Sequence, residues 1–221
     1  MMNPRKYFEA MLGTFDTTKM TELYYTNEFT LAVAVILSAQ TTDKRVNIVA
    51  PGLFKDAGTP EKMLALGLDG LKEHIKSLSF FNNKAANVIK LSEQLSGIIR
   101  DNAAWKFPDM YHNRDALMAL GGIGRKTANV ITSILWGAKN VGVDTHVFRL
   151  AHRFGWADAA DNTPEKVEKK ILEIIPDKYL AAANHLMVMH GRYVCKALKP
   201  DCEKCPVAEL CGCKKEYRGV E

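Results

Sequence analysis

Cysteine is missing from the first 194 residues of this chain, and then five occur between positions 195 and 213. An odd number crowded into one short stretch is not the pattern of a secreted disulfide scaffold, which spreads paired cysteines along its length. It points instead to a reducing compartment and a local metal site. Long apolar runs are missing too. The most apolar stretch, Leu31 to Leu37, is too short to span a bilayer and reads as a core helix. Met1 to Ala10 lacks the apolar segment of a secretory signal. Strand-like alternation is absent, and nothing repeats at a period of about 20–50 residues. The charge balance is only moderately basic. Thirty Lys and Arg face 25 Asp and Glu, a net charge of +5, which suits a nucleic-acid partner without requiring one. At 221 residues and 47% hydrophobic content, the chain can bury a sizeable core as one domain or two small ones.

What is present is a series of helical patterns with their start signals. Tyr7, Phe8, Met11 and Leu12 share one face of an N-terminal amphipathic helix. Asn27 precedes Phe29 to Leu37, a run apolar nearly all round, as in a helix buried on most sides. Thr42 or Asp43 can cap the next helix. Thr59-Pro60-Glu61 and Thr163-Pro164-Glu165 each place a capping threonine before a proline at the first helical position. Asp69 is expected to cap a short helix ending near Leu78, Phe80 to Asn83 to form a loop, and Lys84 to Ile98 to be helical again. Asn102 to Asn113 reads as an irregular connection. Asp144 is placed to cap a helix carrying Val147, Leu150 and Phe154, and Leu180 to Val194 to form the last long helix. The chain reads as all-α, with short capped helices in layers or bundles.

Leu120-Gly121-Gly122-Ile123-Gly124-Arg125-Lys126-Thr127 stands apart. Three glycines in four positions separate two helical runs and permit a tight turn, since glycine tolerates positive φ and close backbone approach. Such a hairpin leaves backbone N–H groups free at the start of the second helix, a ready site for a DNA phosphate. Lys126 falls in the first turn of that helix, where the dipole disfavours its charge, and a nucleophilic amine must be neutral.

Cys195, Cys202, Cys205 and Cys211 have the spacing C-x6-C-x2-C-x5-C, with Pro200 and Pro206 keeping the segment a loop. Four thiolates so close in sequence can wrap one tetrahedral centre, and zinc and an iron–sulfur cluster are both reasonable. Zinc ribbons use two CxxC pairs at longer separation, so one loop around a larger cluster fits better. Cys213 lies outside the pattern. Arg192, Lys196, Lys199, Lys204, Lys214 and Lys215 surround the loop and can present charge to phosphates.

The hairpin, the run Val143-Asp144-Thr145-His146, the segment His190-Gly191-Arg192-Tyr193 and the cysteine spacing occur here together and in one order. In that combination the chain resembles the endonuclease III family of DNA repair glycosylases, over nearly its whole length from about Phe29 to Cys211. The resemblance implies an all-helical helix-hairpin-helix glycosylase fold of two lobes. One is a six-helix barrel over 22–137 that ends in the hairpin. The other joins 1–21 to 138–221 and carries a [4Fe–4S] cluster on Cys195, Cys202, Cys205 and Cys211. By the same resemblance Lys126 is the nucleophile and Asp144 the catalytic aspartate. Gln40 enters the gap left by an extruded nucleotide, Phe80 is an apolar wedge at the opposite strand, and His146 lines the DNA surface. Gly122, Gly124 and Arg125 at the hairpin and Lys204 on the loop complete the expected DNA contacts.

The function implied is that of a bifunctional DNA glycosylase/AP lyase in base excision repair. It removes damaged, chiefly oxidised, pyrimidines and nicks 3′ of the abasic site by β-elimination. The expected partner is double-stranded DNA with a damaged base or an abasic site. The expected state is a monomer in the cytoplasm, associated with the nucleoid and not with a membrane. An adenine mismatch glycosylase of the same superfamily lacks the lysine and carries a further C-terminal domain. A DNA-binding module without catalysis would not need Lys126 together with Asp144. Three departures from the family's pattern stand out, one of them Cys213 as an extra thiol. Gly121 replaces the usual proline, a change expected to loosen the hairpin entry by roughly 0.4–1 kcal/mol through unfolded-state entropy. The connection from Ile99 to Asn113 is also long.

Overall fold

A computed structural model describes residues 1–97 and 105–213. Residues 98–104 of the long connection, and Lys214 and Lys215 beside the cysteine loop, lie outside the described residues. Among the described residues the regular elements are helical: α1 (Pro4–Leu12), α2 (Glu28–Ser38), α3 (Asp43–Asp56), α4 (Pro60–Ile75), α5 (Phe81–Leu95), α6 (Arg114–Met118), α7 (Arg125–Trp136), α8 (Thr145–Arg153), α9 (Pro164–Ile174) and α10 (Asp177–Tyr193). Short 3-10 turns occupy Asp109–Tyr111 and Ala208–Leu210. No helix among them is long and apolar enough to cross a membrane. The chain divides into two compact units, Glu22–Trp136 and Met1–Thr21 with Gly137–Glu221.

The unit Glu22–Trp136 is built around α2. Phe29 through Leu37 are all buried, so this helix has no polar face and needs partners on every side; α3, α5 and α7 pack on it. Its start is specified by a reciprocal capping box. The Asn27 side chain accepts from Thr30 N at 2.8 Å, and Thr30 Oγ1 accepts from Asn27 N at 2.9 Å. Thr42 and Thr59 cap α3 and α4 as their positions suggest.

One local expectation holds and another shifts. A second short helical run does begin near Asp69: Gly67, with φ 74° and ψ 172°, breaks α4 in two, and the second run ends at Ile75, with Asp69 3.8 Å from Lys72. The loop expected over Phe80 to Asn83 lies earlier, over 76–80 between α4 and α5. Phe80 closes that turn in a left-handed conformation (φ 56°), and α5 starts immediately after it.

The unit containing both chain ends gathers α1, α8, α9 and α10 around an aromatic cluster. Tyr7 meets Phe8, Phe154, Trp156 and His190 at ring-centroid distances of 4.9–5.6 Å. The N-terminal residues are pinned there: Met2 N donates to Phe154 O and Trp156 Nε1 donates to Met2 O, both at 2.8 Å. Thr163 caps α9, while α10 begins at Asp177, three residues earlier than its apolar pattern suggests. Proline at 176 allows that start, since it cannot continue α9 and is tolerated at a helix entry.

Candidate active site and metal-binding loop

The hairpin joins α6 to α7 within the unit Glu22–Trp136. Asn113 caps α6 by accepting from Ala116 N at 2.9 Å, and Leu120 and Ile123 are buried anchors on either side of the turn. Gly122 has φ 74°, the conformation that the glycine-rich spacing calls for. Gly124 is exposed, with open space where a Cβ would stand, so another backbone or a phosphate can approach it. Its carbonyl accepts the first i+4 bond of α7, from Ala128 N at 2.9 Å. The N–H groups of a helix's first turn have no intrahelical acceptor, and Arg125, half-buried, and Lys126, exposed, stand in that turn.

Gly121 is required here for reasons that entropy alone does not capture. It is buried, and a Cβ at this position would stand 2.9 Å from Leu91 N and from Lys90 Cβ and Cγ of α5. Its N–H donates to Gln94 Oε1 at 2.7 Å. Proline would both crowd α5 and remove that donor. The expectation of a purely entropic loosening is therefore corrected: the glycine permits a close helix-to-hairpin contact.

Gln40 and Phe80 belong to the same unit. They are the two non-glycine residues with positive φ among the described residues, at 53° and 56°. Both are exposed, Phe80 at 63%, so Phe80 is not a core residue. Holding non-glycine side chains in this region costs about 1–3 kcal/mol each and is concentrated at functional positions.

Asp144 is the N-cap of α8. Its Oδ1 accepts from His146 N at 2.8 Å and Val147 N at 2.9 Å. One carboxylate oxygen thus does the capping, and among the described residues Oδ2 accepts no hydrogen bond. His146 is half-buried, and its Nδ1 lies 3.3 Å from Arg149 Nη2.

The five cysteines are unbridged, and Cys195, Cys202, Cys205 and Cys211 line one pocket that is partly open to solvent. A cubane of four irons and four sulfides needs such a cavity lined by four thiolates, whereas a single zinc draws its ligands to one point. The donor set, four thiols lining one pocket, fits a [4Fe–4S] cluster. Burial pushes the Cys205 thiol up to about 11 and also raises that of Cys195, and the positive charge of bound iron would favour their thiolate forms. Cys213 stands on the same cavity wall, its Sγ donating to Arg153 O at 2.9 Å. Lys204 is exposed beside the cavity and lies 3.4 Å from Asp201, a surface pair of small energetic consequence.

Three residues without an expected role build this loop. Arg153 Nη1 donates to Cys195 Sγ at 3.2 Å and to Lys196 O at 2.8 Å, and Nη2 donates to Ala197 O at 2.7 Å. Arg149 Nη2 reaches Gly191 O at 2.8 Å and Cys195 O at 3.1 Å. Their i, i+4 spacing on α8 was the available signal. His190 is fully buried, with Nε2 3.4 Å from Cys205 Sγ and Nδ1 3.2 Å from Tyr7 OH. Burial, assisted by Arg149, lowers its pKa to about 4, so the ring is neutral. A Cys205 thiolate would accept only, which would place the ring proton on Nε2 and make Nδ1 the acceptor of the Tyr7 hydroxyl proton.

A helical unit that closes on a glycine hairpin, in a chain that goes on to a four-cysteine loop, defines a helix-hairpin-helix base excision DNA repair protein. The HhH-GPD superfamily of base excision DNA repair proteins matches residues 33–177, and the iron-sulfur binding domain of endonuclease III matches residues 195–211. The chain belongs to the endonuclease III family. It is 50% identical over 191 residues to endonuclease III of Rickettsia conorii, covering 86% of this chain and 87% of the relative. It is 44% identical over 217 residues to that of Haemophilus influenzae, covering 97% and 99%.

Among solved structures, a trapped endonuclease III–DNA covalent intermediate superposes with a TM-score of 0.83 at 39% identity, covering 97% of this chain and 96% of the other. A thermostable thymine-DNA glycosylase shares the fold, with a TM-score of 0.79 at 18% identity over 97% of each chain. The chain is a DNA glycosylase and abasic-site lyase of base excision repair, it carries a [4Fe–4S] cluster, and DNA is its partner.

Proposed function

We propose that this enzyme removes oxidised pyrimidines from double-stranded DNA and nicks the strand 3′ of the abasic site, with Lys126 as nucleophile and Asp144 as the assisting carboxylate. A base stacked in a duplex cannot be attacked at its sugar, so the damaged nucleotide must be extruded, and damage that weakens pairing lowers that cost. Lys126 Nζ then attacks the anomeric carbon with its lone pair. The bond from that carbon to the base breaks, and the base leaves with a proton. Loss of the ring oxygen bond yields a Schiff base between Lys126 and the sugar. Removal of a proton from the adjacent carbon expels the 3′ phosphate, and hydrolysis frees the lysine. Asp144 stabilises positive charge on the sugar or accepts the proton that frees the amine. The observation that carries this reading is the position of Lys126, exposed in the first turn of α7 directly behind the hairpin.

The DNA contacts follow from accessibility and conformation. Gly122, Gly124 and Arg125 present the start of α7 to a phosphate. Gln40 and Phe80, exposed and held at positive φ, are proposed to fill the space of the extruded nucleotide and to wedge the opposite strand. His146 and Lys204 add polar and cationic contacts. Cys195, Cys202, Cys205 and Cys211 are the cluster ligands, and the cluster when bound fixes the loop that bears Lys204. In this reading the six-helix barrel with the hairpin is the lobe of 22–137, and 1–21 with 138–221 is the lobe that holds the cluster. The enzyme acts as a monomer in the cytoplasm, on nucleoid DNA.

Lys126→Gln tests the central claim. The variant should fold, retain its iron and bind a duplex containing an abasic site, yet lose strand nicking and covalent trapping by borohydride. Nicking by Lys126→Gln at the wild-type rate, in single turnover at saturating enzyme, would remove Lys126 from the mechanism.

A further inference from the structure

Lys84 is a buried cation without an assigned role. It lies in the first turn of α5, its residue is only 4% exposed, and it forms no ion pair among the described residues. Its ammonium makes one hydrogen bond there, to Thr41 Oγ1 at 2.5 Å. Its backbone N–H donates to Phe80 O at 3.1 Å, the bond that opens α5. One residue is thereby bonded at one end to Thr41, directly after Gln40, and at the other to Phe80, and Gln40 and Phe80 are the two non-glycine residues at positive φ among the described residues. Burying an ammonium with a single neutral partner costs stability that methionine or leucine at the same place would not. Burial accordingly depresses the Lys84 pKa. A group retained at such a cost is better explained by what it holds in place than by packing.

We infer that Lys84 is a positioning residue that locks the Gln40 turn to the Phe80 turn, so that the two side chains enter the duplex as one rigid insert. The inference rests on the reading of Gln40 and Phe80 as the residues that occupy the opened duplex. Without the Lys84–Thr41 bond each turn would pay its own ordering cost when DNA binds; with it, ordering one turn orders the other.

The test is a mutant cycle read by binding to a duplex carrying a tetrahydrofuran abasic-site analogue. Gln40→Ala, Phe80→Ala and the double variant are measured with Lys84 present and in the Lys84→Met background. With Lys84 present, each single change should weaken binding, and the double variant should bind about threefold or more tighter than the product of the two effects predicts. With Lys84→Met the effects should multiply, while the salt dependence of binding stays that of the parent. Coupling that survives Lys84→Met overturns the inference. A salt slope reduced by about one unit would instead make Lys84 a phosphate contact and overturns it too. If neither Gln40→Ala nor Phe80→Ala weakens binding, the reading of the two inserts fails, and this inference with it. Should Lys84→Met not fold, Thr41→Val removes the acceptor alone and must abolish the same coupling.

Discussion

In the proposed mechanism Asp144 combines two tasks on one carboxylate, and substitution can separate them. Oδ1 caps α8 through His146 N and Val147 N, while Oδ2 accepts no hydrogen bond among the described residues. Asparagine keeps an oxygen where Oδ1 stands and ranks with aspartate as an N-cap. Asp144→Asn therefore loses only the favourable interaction of a negative charge with the helix N-terminus, about 0.3–1 kcal/mol. Alanine loses the cap itself, about 0.5–2 kcal/mol, in addition to the charge. For a chain of this size each kcal/mol corresponds to roughly 2–4 °C in the unfolding midpoint, so Asp144→Ala should melt a few degrees below Asp144→Asn.

Catalysis should not follow that order. Both variants lack the carboxylate, and both should release the damaged base far more slowly than the parent. Both should retain some borohydride trapping on DNA that is already abasic, because Lys126 is still present. Thermal unfolding of the iron-loaded proteins and single-turnover assays on lesion-bearing and abasic duplexes give the two readouts. Base release by Asp144→Asn at the parental rate would show that the aspartate serves the helix alone. Equal midpoints for the two variants would refute the division of labour between the two oxygens.

Gly121→Pro should destabilise the protein, because crowding against α5 (about 1–3 kcal/mol) and the lost bond to Gln94 (about 0.5–1.5 kcal/mol) outweigh the entropic gain. Gly121→Ala keeps the N–H and should fall between Pro and the parent, so a midpoint raised by proline contradicts the contact at Leu91. The purified protein should be yellow-brown with about four irons per chain, and Cys205→Ser should lower iron content and visible absorbance while the helical content of the barrel persists by circular dichroism. Colourless protein with stoichiometric zinc would exclude the cluster assignment. Lys204→Gln should weaken binding to undamaged duplex to a similar degree across sequences and flatten its salt slope by about one unit; an unchanged slope removes Lys204 from the phosphate contacts.

Much of this protein is determined by local chemistry and is therefore legible in the sequence. A threonine before a proline caps a helix whatever surrounds it, as at Thr59 and Thr163. A run with no polar face must be enclosed, as Phe29 to Leu37 are. The glycine spacing implies a hairpin, the cysteine spacing a metal-binding loop, and both match known families over the residues that bear them. What tertiary structure decided are contacts between residues far apart in sequence. The need for glycine at 121 arises from Leu91 and Lys90 on another helix, and no local rule distinguishes that from an entropic preference. Exposure decides that Phe80 is not core, and its left-handed φ moves the start of α5 to the next residue. Lys84 reads as an ordinary surface lysine until Thr41, 43 positions earlier, meets its ammonium. Arg149, Arg153 and His190 become part of the cluster loop only because α8 and α10 bring them to Cys195 and Cys205. Spacing along a chain specifies caps and turns, but whether a charge is solvated, buried or shared depends on which distant residues the packing places beside it.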